Sequence, residues 1–325
     1  MEYPITRYQR YRMNQSMRDL VQEIDLLPRH FIAPLFVHEL DESVPISSLP
    51  GHHRHSLQSL VTEAGSLMEL GIQAVILFGI PLIKDSLASS SVDSKGIVQQ
   101  AINVLKHHFP DLIVIADVCL CEYTDHGHCG LFNSAHILDH ESTLSLLSTI
   151  AVSYADCGVD IVAPSGMMDG AVSVIRSALD HSGYSDRSIM SYSIKFASQF
   201  YGPFRDAAGS GDDFKGDRKH HQLSPTQRRE ALRDGLSDEK EGADFLMVKP
   251  AMPYQDLIRD LRNQSELPIV AYQVSGEYAM LMHGVSSGVF SDAFNCFYES
   301  LIGLRRSGAD LIISYYAKEY CRVAF

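Results

Sequence analysis

The sequence predicts an α/β protein, a parallel (β/α)8 barrel of the TIM type with an extended N-terminal arm. Two observations carry this prediction. About eight short apolar, β-branched runs recur along the chain, separated by longer segments of helical period. Gly71, Gly158, Gly242 and Gly308 each stand at the end of a helical segment, just before the next run begins. The chain has 325 residues, 45% of them hydrophobic, and no Pro/Gly/Ser linker divides it, so a single large unit is expected.

Residues 1–28 carry Arg7, Arg10, Arg12 and Arg18 with few long apolar runs, and read as an arm outside the core or as a frayed tail. Residues 29–325 then form the barrel. Its strand candidates are Phe31 to Val37, Ala74 to Gly79, Leu112 to Val118, Val159 to Pro164, Ile189 to Ile194, Phe245 to Val248, Pro268 to Tyr272 and Asp310 to Tyr315. The region around 200–226 contains Gly209-Ser-Gly-Asp-Asp213 and Lys215-Gly-Asp-Arg-Lys219. It is too polar for core and follows a strand end, which predicts an active-site lid. Gly51-His-His-Arg-His55 reads as a solvated βα loop rather than a metal tract.

With Lys+Arg 27 against Asp+Glu 40, the net charge of -13 disfavours nucleic acid and anionic membranes as partners. No apolar run is long enough to span a bilayer and the N-terminus lacks a signal-peptide core, so a cytoplasmic protein is expected. Of 6 cysteines, three crowd into one short segment, a metal-like pattern rather than a disulfide framework.

Phe245-Leu-Met-Val-Lys-Pro-Ala-Met-Pro253 ends its apolar run on Lys249. A buried ammonium is costly, so burial favours the neutral amine, which is a nucleophile toward carbonyl carbon. The alternative is a stem that carries the charge back to solvent. Ser191-Tyr-Ser-Ile-Lys-Phe-Ala-Ser198 is a second such run, ending on Lys195. Two lysines at the same end of consecutive strands could face each other, each lowering the other's pKa. That points to imine chemistry on carbonyl substrates.

Asp117-Val-Cys-Leu-Cys-Glu-Tyr-Thr-Asp-His-Gly-His-Cys-Gly130 follows the third strand and supplies Cys119, Cys121 and Cys129. Three thiolates leave one tetrahedral position open, the pattern of a catalytic zinc and a potential Lewis acid; three reduced cysteines without metal are the alternative. His126 and His128 are expected to support that set or the lid. Asp117 either orients a proton-transfer group or bonds the loop backbone.

On the segments DVCLCEYTDHGHCG, SYSIKFASQFYGPFRDAA, KGDRK, FLMVKPAMPY, AYQVSGEYAM and GADLIISYY, the chain resembles the porphobilinogen synthase (5-aminolevulinate dehydratase) family. The resemblance implies a (β/α)8 barrel and a homo-octamer in which each arm embraces a neighbour. It also implies a reaction joining two 5-aminolevulinate molecules asymmetrically into porphobilinogen, on the way to haem and other tetrapyrroles. Lys249 matches the lysine that forms an imine with the first substrate, and Lys195 the lysine that holds the second. Cys119, Cys121 and Cys129 match the zinc ligands, Arg205 and Arg218 the clamp on the second carboxylate, Ser275 and Tyr315 the hydroxyls holding the first. Asp234 stands where many bacterial members bind an allosteric magnesium, usually through glutamate, and the shorter side chain puts that site in doubt. His128 and His220 match a weak second zinc site in which some relatives have a cysteine at the latter position. Two rivals remain: an aldolase-like barrel with one imine lysine and no thiolate zinc, and a binding protein whose zinc only staples a loop.

Overall fold

The computed structural model describes residues 6–209 and 218–325. Eight parallel strands close on themselves: β1 (Phe31–His38), β2 (Ala74–Ile80), β3 (Ile113–Val118), β4 (Ile161–Pro164), β5 (Ser188–Lys195), β6 (Phe245–Lys249), β7 (Ile269–Gln273) and β8 (Leu311–Ser314). Each pairs with the next, and β8 returns to β1 with Phe31 opposite Ile312. All eight predicted runs are strands, and their ends agree to within a residue or two. They read as continuous apolar runs because barrel strands are buried on both faces.

The helices wrap the outside: α1 (Leu57–Glu69), α2 (Ile97–His108), α3 (His140–Asp156), α4 (Ala171–His181), α5 (Arg229–Glu241), α6 (Gln255–Arg262), α7 (Ser275–Ser286), α8 (Ala293–Ser307) and α9 (Ala317–Ala324). Their starts are capped as physical chemistry prefers, with Ser56 accepting from Ser59 N–H and Asp139 from Ser142 N–H. Gly71, Gly158, Gly242 and Gly308 all have positive φ, between 79° and 120°, the left-handed turn that a Cβ would strain.

Two features depart from expectation. The tract His53–His55 is a short half-buried strand running parallel to β1, with Arg54 opposite Phe36, rather than a solvated loop. The segment after β5 begins with an ordered helix, Gly202–Ala207, and from Arg218 it returns to the barrel, where Leu223 N–H donates to Lys195 O at 3.0 Å. Residues 210–217, which hold most of the two glycine-rich stretches of the expected lid, and residues 1–5 lie outside the described residues. Near the N-terminus a short helix, Gln15–Leu20, leaves Tyr8, Tyr11, Met13 and Leu20 exposed.

Candidate active site

The C-terminal ends of β5 and β6 bring the two lysines together. Leu246 pairs with Ser191, yet Val248 pairs with Ile194 and Lys249 with Lys195, so β5 contains one residue more than its neighbour over this stretch. The bulge reverses the alternation of faces. Ser193 lies against Asp238 of α5, and Ile194 also faces α5, within 3.4 Å of where a Cβ on Gly235 would stand. Two consecutive side chains thus point outward, and Lys195 returns to the interior. In unbroken register Lys249 would have met Ile194.

Both lysines are buried, Lys249 to 5% exposure and Lys195 to 7%. Lys195 Nζ donates to Ser165 O at 2.5 Å. Lys249 Nζ lies 4.2 Å from the Tyr272 ring centre and 4.7 Å from Tyr192, with Phe204 at 5.2 Å and Tyr201 at 5.5 Å. Burial first, and the Lys195 cation second, lower its pKa to about 7, so a large share of this amine is neutral at ordinary pH.

The cysteine loop leaves β3 beside them. Cys119, Cys121 and Cys129 are all buried, and their sulfurs lie within 4.8 Å of one another, with Cys119 and Cys121 at 3.3 Å. Hydrogen bonds from the other two thiols, helped by Arg218 and Lys195, hold Cys129 well below the usual thiol range. Three soft donors converging in a dry pocket can hold a metal ion with one position open. Glu122 accepts from Cys121 at 3.1 Å, and Asp117 Oδ2 accepts from Ser165 Oγ at 3.0 Å. Burial and the neighbouring Glu122 push the Asp117 carboxyl well above its usual range.

A cavity of about 30 Å³ is lined by both lysines, Asp117, Cys121, Cys129, Arg205 and Arg218. That is room for one or two waters, so anything larger enters only when a wall moves. Arg205 is carried on the helix Gly202–Ala207, and Arg218 donates to Gly127 O at 2.7 Å.

Ser275 and Tyr315 stand one layer back from this cavity. Ser275 Oγ accepts from Phe204 N–H at 2.9 Å, and Tyr315 shares a 3.3 Å hydrogen bond with the Tyr272 hydroxyl. Glu277 joins these parts, accepting from Met252 N–H at 2.7 Å beyond Lys249 and from Val274 N–H before Ser275. At Gly276 a Cβ would stand 2.4 Å from Phe200 O, so only glycine lets α7 meet the base of the lid helix. His128, His220 and His221 form a separate trio of possible ligands, with His128 and His220 Nε2 atoms 3.2 Å apart. Asp234 lies outside the lysine cavity on α5, where burial and the acidic neighbours Glu230, Asp169 and Asp238 raise its pKa to about 6. It belongs to no close trio of ligand atoms among the described residues.

Sequence reasoning missed the aromatic box around Lys249, because its rings come from separate segments. It also passed over Glu277 and His221; the latter's adjacency to His220 was an available signal.

Known proteins match the chain over almost its whole length. The family model described as delta-aminolevulinic acid dehydratase matches residues 5–323. A protein of that name from Bacillus subtilis is 50% identical over 320 residues, covering 98% of each chain, and one from Archaeoglobus fulgidus is 47% identical over 319, again 98% of each. The crystal structure of the Toxoplasma gondii delta-aminolevulinic acid dehydratase (porphobilinogen synthase), in complex with the reaction product porphobilinogen, superposes with a TM-score of 0.96. It is 43% identical and covers 98% of this chain and 92% of that one. A structure titled as an aldolase, QR15, reaches a TM-score of 0.50 at 12% identity, a likeness of fold alone.

Proposed function

Because the chain belongs to the delta-aminolevulinic acid dehydratase family, we propose that the mouth of its barrel joins two 5-aminolevulinate molecules into porphobilinogen through imines on Lys249 and Lys195. The observation that carries this reading is the pairing of two buried lysines across β5 and β6, beside three converging thiols. An aldolase-like barrel needs one such lysine and no thiols.

The neutral amine of Lys249 adds to the ketone carbon of the first substrate and water leaves, giving the imine. Lys195 holds the second substrate in the same way. An imine withdraws electrons better than a ketone, which eases proton loss from the adjacent carbon and lowers the barrier to carbon–carbon bond formation. Asp117, beside Ser165 and both lysines, is a candidate to hold that proton. Arg205 and Arg218 present guanidinium forks to the second substrate's carboxylate. Ser275 and Tyr315 offer hydroxyls to the first. Water exclusion falls to Phe204 and the lid helix.

Cys119, Cys121 and Cys129 would hold zinc, which when bound supplies a Lewis acid beside the second substrate. Asp234 among its acidic neighbours is the candidate for an allosteric magnesium, and His128 with His220 for a weak second zinc. The exposed Tyr8, Tyr11 and Leu20 suit an arm, residues 1–28, that packs on a neighbour in a homo-octamer. No helix among the described residues is long and apolar enough to cross a membrane, and a cytoplasmic location fits the reaction.

Incubation with 5-aminolevulinate and borohydride should label Lys249 covalently, as read by peptide mass spectrometry. Labelling that persists unchanged in Lys249→Ala overturns the assignment.

A further inference from the structure

The lid helix Gly202–Ala207 covers the lysine cavity with Phe204 and Arg205, and something must hold it there. A helix of six residues has too few internal hydrogen bonds to stand alone, and its last carbonyls lack partners within the helix. Those carbonyls are met by side chains from two other βα loops. Arg54, after β1, donates Nε to Ala207 O at 2.7 Å and Nη2 to Asp206 O at 2.6 Å. Lys84, after β2, donates Nζ to Gly209 O at 2.8 Å. Ser48 adds a bond to Pro203 O at 3.2 Å.

From this we infer that Arg54 and Lys84 are positioning residues, a two-point latch that seats the lid helix so that Arg205 faces the second substrate. Arg54 suits the task because its own backbone is fixed: it sits in the strand His53–His55, opposite Phe36 of β1. Two parallel donors in a rigid fork match two successive carbonyls, which a single ammonium could not do. Cations also suit this end of a helix, where the peptide dipoles leave partial negative charge. Both side chains are half-buried, so solvent competes for them and the latch can be released. Release is required, because the cavity beneath admits only water. This accounts for Arg54, the cation of a histidine-rich tract that has no part in the chemistry.

The inference rests on the proposed reaction, and the test separates the two. Arg54→Ala, Lys84→Ala and Arg54→Lys are compared with the unaltered enzyme for KM, borohydride labelling of Lys249 by 5-aminolevulinate, and deuterium exchange in residues 202–209. The alanine variants should raise KM by about ten-fold, the worth of one charge-assisted hydrogen bond, and speed exchange in the lid helix. Labelling of Lys249 should fall by less than KM rises, because the box around it loses only Phe204 with the lid helix and keeps Tyr192 and Tyr272, which stand on β5 and β7. Arg54→Lys, keeping one of two bonds, should fall between. Unchanged KM and exchange overturn the latch. A loss of Lys249 labelling in step with KM also overturns it, since Arg54 would then support the whole barrel mouth. Absence of labelling in the unaltered enzyme overturns the proposed reaction instead.

Discussion

Lys195 and Lys249 are register partners only because β5 carries one residue more than β6 over the same stretch. The pairing sets both side chains into one cavity and makes each cation a neighbour of the other.

The first prediction concerns pH. Lys249 reacts as the neutral amine, so its labelling by 5-aminolevulinate and borohydride should rise with pH through about 7. Lys195→Met removes a repelling cation, which raises the Lys249 pKa. The labelling profile should therefore move to higher pH, by about one unit. A profile that stays put, or moves down, contradicts the coupling.

Metal removal should separate chemistry from folding. The three thiols sit on one loop after β3, while the ladder that closes the barrel runs through eight strands that hold none of them, so chelation should abolish pyrrole formation while the far-UV circular dichroism holds, and zinc should restore turnover. Ellipticity that collapses together with activity makes the site a structural staple.

Arg205 lines the cavity, whereas the packing of its helix on the core is done by Phe204, against Phe36 and Phe78, and by the buried Ala207. Arg205→Ala should raise KM by about ten-fold and leave the unfolding free energy within about 0.5 kcal/mol. A large fall in melting temperature would assign it to the scaffold.

Gly276→Ala tests the seam between α7 and the lid. The added methyl meets a backbone oxygen, Phe200 O, at 2.4 Å, and backbone yields less readily than a side chain. The substitution should destabilise by about 1–3 kcal/mol and depress activity together, measured by urea unfolding and pyrrole assay. An alanine variant of full stability would show that the seam opens freely.

The barrel was legible because its strands are buried on both faces and punctuated by left-handed glycines such as Gly242 and Gly308. Lys195 and Lys249 were legible because a charge at the end of an apolar run is out of place. Their mutual register was not, since a bulge shows no distinct residue type: Tyr192, Ser193 and Ile194 all suit a regular strand. The box of Tyr192, Tyr272, Tyr201 and Phe204 depends on contacts between distant segments, which periodicity does not encode. Arg54 was hidden for another reason. Its histidine neighbours drew attention to metal chemistry, while its task is to bond carbonyls about 150 residues away along the chain.

The box around Lys249 has an optical consequence. The chain contains 15 tyrosines and no tryptophan, so its near-ultraviolet signal belongs almost wholly to phenol rings. Three of those rings, Tyr192, Tyr201 and Tyr272, lie within 5.5 Å of the Lys249 nitrogen in a rigid, chiral setting. Capture of the first keto acid replaces an amine in their midst with an imine, and the enzyme thereby carries its own chromophore for following that event without dye or label.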